Sequence, residues 1–174
     1  MTTRIRSLSS FELDSLIPDF AELLADAVNH GASLGFNPPM SQYQARDYWH
    51  SLRTELQSGS RLLLAAYASG RIVGTGQLAL PAWPNARHRA ELQKVFVAAA
   101  LHGQGVGRQI MCALHDAARE RRRSLVHLNT RRGQPPERFY KGLGYREAGV
   151  IPGYTIGPAG ERYDTLTLYQ ELAC

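Results

Sequence analysis

Read for apolar spacing alone, the chain alternates between two periods. Leu13, Leu16, Ile17, Phe20, Leu23, Leu24, Ala27 and Val28 recur at three- and four-residue intervals, the stripe of a helix face, and Gly31 follows as a C-cap. Pro18 interrupts that stripe, so regular helix is expected to begin near Ile17 or to kink there. Ser41 with Gln44 three positions on has the form of a capping box and opens a second helix that Gly59 ends. Val106, Ile110, Ala113, Leu114 and Ala117 mark a third. Residues 2–8, 61–68, 72–80, 89–97, 124–130 and 163–171 read as strands, with Ser69-Gly70 as a hairpin turn between the second and third. Pro135 and Pro136 suit the first turn of a short helix that carries Phe139 and Tyr140 and stops at Gly142 or Gly144.

Two segments have no period. Residues 29–40, rich in Gly and Pro, read as a loop; from Tyr145 an irregular strand leads into a loop at 151–161. The resulting order, β-α-α-β-β-β-α-β-α-β-β, carries no repeat and no linker. It predicts a single α+β domain over residues 1–174, three-layered, with a mixed, mostly antiparallel sheet of six to seven strands flanked by four helices.

The most informative stretch joins the strand at 89–97 to the third helix. Strict alternation would put Leu92, Lys94 and Phe96 on one face and Glu91, Gln93, Val95 and Val97 on the other. Gly103, Gly105 and Gly107 then fall where strand hands over to helix. The first helical N–H groups have no intrahelical partner and the macrodipole is positive at that end, so such a turn is suited to a phosphate. The turn lacks the Gly-Lys-Ser/Thr ending of a P-loop and the acidic residue of a dinucleotide fingerprint.

Composition narrows the field without choosing within it. At 174 residues the chain can bury one full core, and 44% apolar with 20% charged residues excludes a disordered chain. No apolar run reaches membrane-spanning length and the N-terminus has no apolar signal region, so a cytoplasmic protein without membrane association is expected. Cys112 and Cys174 suggest neither a disulfide framework nor a metal site. The net charge of +5 admits nucleic acid, yet residues 119–123, where arginines cluster, lie at a helix C-terminus without interleaved aromatics. A ligand with several phosphates accounts for the surplus equally well, and no nucleic-acid partner is expected.

His102, Gly105 and Gly107 resemble the acyl-CoA loop Q/R-x-x-G-x-G/A of the GNAT superfamily of N-acetyltransferases, with His in place of Gln or Arg. Phe139-Tyr140-x-x-x-Gly144-Tyr145 resembles the family's C-terminal motif, and the element order matches its fold along nearly the whole chain. Residues 29–36, 89–94, 107–111 and 151–154 are similar to the tabtoxin-resistance members of that superfamily. The resemblance implies acetyl-CoA as co-substrate, no metal, and direct transfer in a ternary complex to a small-molecule amine, of the kind of a toxin or antibiotic such as tabtoxinine-β-lactam. His102, Gly103 and the backbone N–H groups of Gln104, Gly105, Val106, Gly107 and Arg108 would hold the pyrophosphate; Val95, Phe96 and Val97 would pair with the pantetheine arm, an N–H near Val97 binding the thioester oxygen.

Tyr140 would be the general acid for the thiolate. Glu91 is the candidate base, since strict periodicity puts it on the face of Val97 six residues on; His127 could take that role, while Asn129, at a position where the toxin-resistance members carry an acid, cannot accept a proton. Ser33, Phe36 and Tyr154, in the two irregular segments, would frame the acceptor pocket. The rival readings are a protein or peptide acetyltransferase, which needs an open groove, and a non-catalytic acyl-CoA-binding module. Dimerisation fits the family, but no residue decides it.

Overall fold

The structure, a computed structural model, describes residues 3–173. Seven strands form one sheet in the order β1-β2-β3-β4-β5-β7-β6: β1 (Arg4–Leu8), β2 (Arg61–Ala68), β3 (Arg71–Ala79), β4 (Arg89–Val97), β5 (Leu125–Arg131), β6 (Arg146–Ile156) and β7 (Arg162–Glu171). Every pairing is antiparallel except β4 with β5. A parallel pair needs a crossover, and α4 (Val106–Glu120) supplies it. Thr2, at the start of the first expected strand, lies outside the described residues.

Helices cover the two faces unequally. On one face α4 presents Val106, Ile110, Met111, Leu114, Ala117 and Ala118 to Leu62, Leu64, Leu78, Ala90 and Leu92, and the cluster continues to Tyr140 of α5 (Pro135–Lys141) and to Leu166 and Leu168 of β7. The approach is close because β3 carries glycine beneath α4: a Cβ on Gly76 would stand 2.7 Å from Leu114 Cδ1 and 2.9 Å from Ile110 Cγ2. On the other face α1 (Ser10–Asn29) and α2 (Gln42–Ser51) bury Phe20, Leu24 and Trp49 against Leu63, Ala65 and Phe96. That second cluster stops at β4. His127, Asn129, Thr167 and Tyr169, on the same face of β5 and β7, belong to neither core and are exposed or half-buried.

Three expectations are corrected. The first helix starts at Ser10, because Ser9 and Glu12 form a capping box and Leu13 is already core; Pro18 is accommodated within the helix on its exposed side. The second helix does not run unbroken to Gly59: buried Leu52 interrupts it, leaving α2 and a short α3 (Arg53–Ser58), which Gly59 ends at φ 71°. The segment expected as a loop from Ile151 is strand through Ile156, paired with β7 across two register shifts; only the turn to Arg162 is irregular. Tyr154 is therefore a strand residue, 57% exposed.

Candidate active site

The strand entering the glycine turn does not alternate throughout. Thr75 of β3 lies opposite Phe96 and Gln77 opposite Gln93, so β4 holds one residue more than its partner. Lys94 absorbs the excess at φ 49°, in the left-handed region. The bulge reverses every face assignment beyond it. Leu92, Val95 and Val97 all turn to the α4 side, whereas Gln93 and Phe96 face α1 and α2. Arg61 Nη1 confirms the placement by donating to both Gln77 Oε1 and Gln93 Oε1 at 2.8 Å. The expected common face of Glu91 and Val97 is thus overturned: Glu91, two residues from Gln93, faces the side opposite Val97.

The same stretch opens the sheet. β4 and β5 pair at Arg89–Leu125, Ala90–Val126 and Glu91–His127, and beyond that the two strands separate. Ala98 N–H donates to Val73 O of β3 at 2.8 Å, so by strand alternation the N–H and carbonyl of Val97 turn the other way, toward the split. The carbonyl is used: His102 Nε2 lies 2.9 Å from it. His102 therefore ties the glycine turn to the end of β4 through its side chain. The Val97 N–H is left facing the gap.

Gly103 and Gly105 hold φ of 75° and 82°, which only glycine adopts without strain, and Gly105 is the residue from which α4 starts. The Gln104 N–H is spent on Leu101 O at 3.3 Å. The donors left at the turn are the N–H groups of Gly103 and Gly105 and those of the first turn of α4, Val106, Gly107 and Arg108, which have no intrahelical acceptor. No acidic residue stands in that turn, and exposed Arg108 adds positive charge to the positive end of the dipole. Donors, dipole and cation together match a pyrophosphate. A Cβ on Gly107 would lie 3.4 Å from Phe139 Cζ and 3.9 Å from Val97 Cγ2, so the helix start, α5 and the end of β4 meet at one point.

Tyr140, next to Phe139, is 8% exposed, with its ring 5.8 Å from that of Tyr145. Burial pushes its phenol up to about 12, so it is protonated at neutral pH and able to donate. Tyr145 is raised further by burial, and its hydroxyl lies 2.7 Å from His115 Nε2.

The face not covered by helices holds the remaining candidates. Glu91 and His127 are neighbours across the last β4–β5 pair. Burial lowers the His127 pKa, Arg89 adds to this and Glu91 opposes it; Arg89 Nη1 lies 3.2 Å from His127 Nε2, which occupies that ring nitrogen as acceptor. Asn129 Oδ1 accepts from Thr167 Oγ1 at 2.8 Å. Glu55, Ser60, Arg89 and Glu91 line a concavity of about 200 Å³; a larger one of about 360 Å³, at Arg4, Arg6 and Tyr67, lies toward the β1 edge and touches none of these groups.

The segment before α2 bends over this face. Lys94 Nζ sits 5.3 Å from the Phe36 ring centroid and 5.4 Å from that of Tyr48, and Asn37 Nδ2 donates to Ile156 O of β6 at 3.1 Å. Phe36 and the β6 strand of Tyr154 thus come to the same rim, while Ser33 is exposed on the bend itself. Sequence reasoning missed Lys94 and Asn37. A lysine in an alternating strand signals nothing, and the amide's partner is 119 positions away. Among the described residues no cluster of His, Cys, Asp and Glu could hold a metal, and no helix is long and apolar enough to cross a membrane.

Solved structures with this fold share it along their whole length. The ribosomal-protein-alanine N-acetyltransferase of Brucella melitensis is 22% identical with a TM-score of 0.77, covering 97% of this chain and 99% of its own. The protein yncA of Salmonella typhimurium, solved with its cofactor acetyl-CoA, is 18% identical with a TM-score of 0.76, covering 100% and 96%. A protein described as a phosphinothricin N-acetyltransferase, 19% identical, has a TM-score of 0.77 and covers 99% and 100%. Residues 36–151, from the rim of the open face through the bulged strand, the glycine turn and Tyr140, match the family described as Acetyltransferase (GNAT) domain. The chain belongs to the GNAT family of acetyltransferases.

Proposed function

We propose that this acyltransferase moves the acetyl group of acetyl-CoA directly to the amine of a small molecule, both bound at once on opposite sides of the split between β4 and β5. The observation that carries the reading is the split itself. It opens beyond the Glu91–His127 pair, with the α4 donors at its mouth on one face and an uncovered polar sheet on the other. Acetyl-CoA supplies an activated thioester, and every other contribution comes from the chain. The N–H groups of Val106, Gly107 and Arg108 hold the pyrophosphate, and the Val97 N–H takes the developing oxyanion, a contribution on the order of 3 kcal/mol for such a donor. Tyr140 donates to the departing thiolate.

Glu91 is the base in this reading, accepting the amine proton directly or through a water. His127 is less suited because Arg89 occupies its Nε2. Asn129, held by Thr167, orients the acceptor. Asn37 joins the turn from Gly31 to Met40 to the end of β6 at the rim, which supports a small acceptor over a polypeptide. A toxin or antibiotic, tabtoxinine-β-lactam included, fits a site of that form.

The test is acetyl-CoA consumption across amines that include toxin-like amino acids, aminoglycosides, polyamines and peptides, with calorimetry of CoA binding alongside. Saturable CoA binding with turnover of a small amine is expected; turnover of peptides alone would replace the small-molecule reading. The kcat/KM profile should lose its acidic limb in Glu91→Gln, and a retained limb would remove Glu91 as the titrating base.

A further inference from the structure

Five buried side-chain polar atoms lack a partner among the described residues, and two of them fall on one patch of the uncovered sheet face. They are Arg131 Nε, at the end of β5, and Thr155 Oγ1, in β6. Arg131 pairs with Thr165 and Thr155 with Tyr163, and the register of β5 on β7 is unbroken. Val126 and Leu128 point into the α4 core, so His127, Asn129 and Arg131 emerge on the opposite face. Arg131 is therefore on the side away from α4, where a pyrophosphate held by that helix does not reach.

The guanidinium of Arg131 stacks on the Tyr163 ring with its Cζ 3.7 Å from the centroid. It makes no ion pair with a carboxylate among the described residues. The Glu161 carboxylate, close enough to feel the Arg131 charge, accepts from the Tyr163 hydroxyl at 2.9 Å and from Ala159 N–H at 3.0 Å. The Nε of Arg131 is buried without a partner, so an incoming anion meets the guanidinium through Nη1 and Nη2, a planar pair of donors held by the stacking and suited to binding a carboxylate through two bonds. Thr155, opposite Tyr163 on β6, adds a second unpartnered buried polar atom to the same face.

Resting on the transfer reading above, we propose that the acceptor amine carries a carboxylate, held by Arg131 and Thr155 on the face opposite the bound CoA. Arg131 lies four residues beyond the last β4–β5 pair on the very strand that borders the split. The anion anchors the acceptor at its far end and directs the amine back toward the split. The acceptor class is then the amino acids and related amino carboxylates, not polyamines or aminoglycosides.

The experiment compares each of a set of amino acids with its own carboxamide, in wild type, Arg131→Gln, Arg131→Lys and Thr155→Val. Wild type should favour the free acid in kcat/KM by on the order of tenfold to a hundredfold, the range of a charge-assisted pair. Arg131→Gln should bring that ratio close to one, and Arg131→Lys should restore it only in part, because a lysine keeps the charge and loses the fork. Equal turnover of acids and amides by wild type, or a ratio unchanged in Arg131→Gln, would overturn the proposal while leaving acetyl transfer intact. If no amine in the set is acetylated although calorimetry registers acetyl-CoA binding, saturation-transfer NMR of the same acids on the CoA complex decides. A transfer signal present in wild type and abolished in Arg131→Gln supports the site; no signal in wild type rejects it.

Discussion

At the scale of single residues the decisive variable is protonation. Burial holds Tyr140 neutral, as the proposed acid must be, and the same burial makes it a liability in alkali. Its folded pKa, about 12, lies above the ordinary value of 10, so the folded state holds a proton that the unfolded chain releases first. Stability from this source is fully present below pH 10 and is lost as pH rises toward 12, by about 3 kcal/mol for a shift of that size. Tyr48, also raised to about 12 by burial, acts in the same window, and Tyr145, raised further by burial, adds to the loss from pH 10 upward. Denaturant melts of wild type should fall steeply between pH 10 and 12, and Tyr140→Phe should fall less; equal slopes would mean that Tyr140 is not buried neutral. In turnover, Tyr140→Phe should cost roughly a hundredfold in kcat and leave the Kd of acetyl-CoA nearly unchanged. An unaltered kcat would remove its role as acid.

At the scale of elements, two departures from regularity build the site. One is the bulge at Lys94, which turns Val95 and Val97 toward α4 while Gln93 and Glu91 keep to the opposite face. The other is the left-handed Gly105 from which α4 starts. Gly105→Ala would meet nothing in space, since no atom lies within 4 Å of the added Cβ, yet it would force alanine to φ 82°. The expected cost is about 1 kcal/mol in a denaturant melt, with weaker acetyl-CoA binding by calorimetry as the first turn of α4 shifts. Unchanged affinity would mean that the turn does not carry the pyrophosphate. The glycine motif, the capping box at Ser41 and the Ser69-Gly70 turn are legible because each works through neighbours within a few residues. The start of α1 is harder to read, because two local signals compete there: Pro18 argues for a late start, and the Ser9 cap with buried Leu13 outweighs it.

At the scale of the whole molecule, the sheet separates the two halves of the proposed reaction: α4 and its donors on one face and, on the other, the polar surface of β5 and β7 that α1 and α2 leave open. A ligand that spans the α4 turn and the split binds only the assembled fold and must stabilise it. Acetyl-CoA at about 100 times its Kd should add about 2.7 kcal/mol, which for a domain of this size is a rise in Tm of roughly 5 to 10 °C. Duplex DNA at the same concentration should leave Tm unmoved. No shift with acetyl-CoA would contradict the proposed pocket.

The order of the strands, the glycine turn and the Phe139-Tyr140 motif were determined by the sequence alone, since spacing and turn chemistry are local and survive whatever the strands pair with. Which way β4 faces after Lys94 was decided only in three dimensions, because a bulge exists relative to a partner strand and leaves no mark on the alternation of the strand that holds it. The same holds for the split beyond Glu91 and His127, for Asn37 reaching Ile156, and for Arg131 lying on Tyr163, which Thr155 faces across the β6–β7 pair. Each joins positions far apart in the chain, and it is the register of β5, β7 and β6, set by burying Leu166 and Leu168 in the α4-side core, that brings them together.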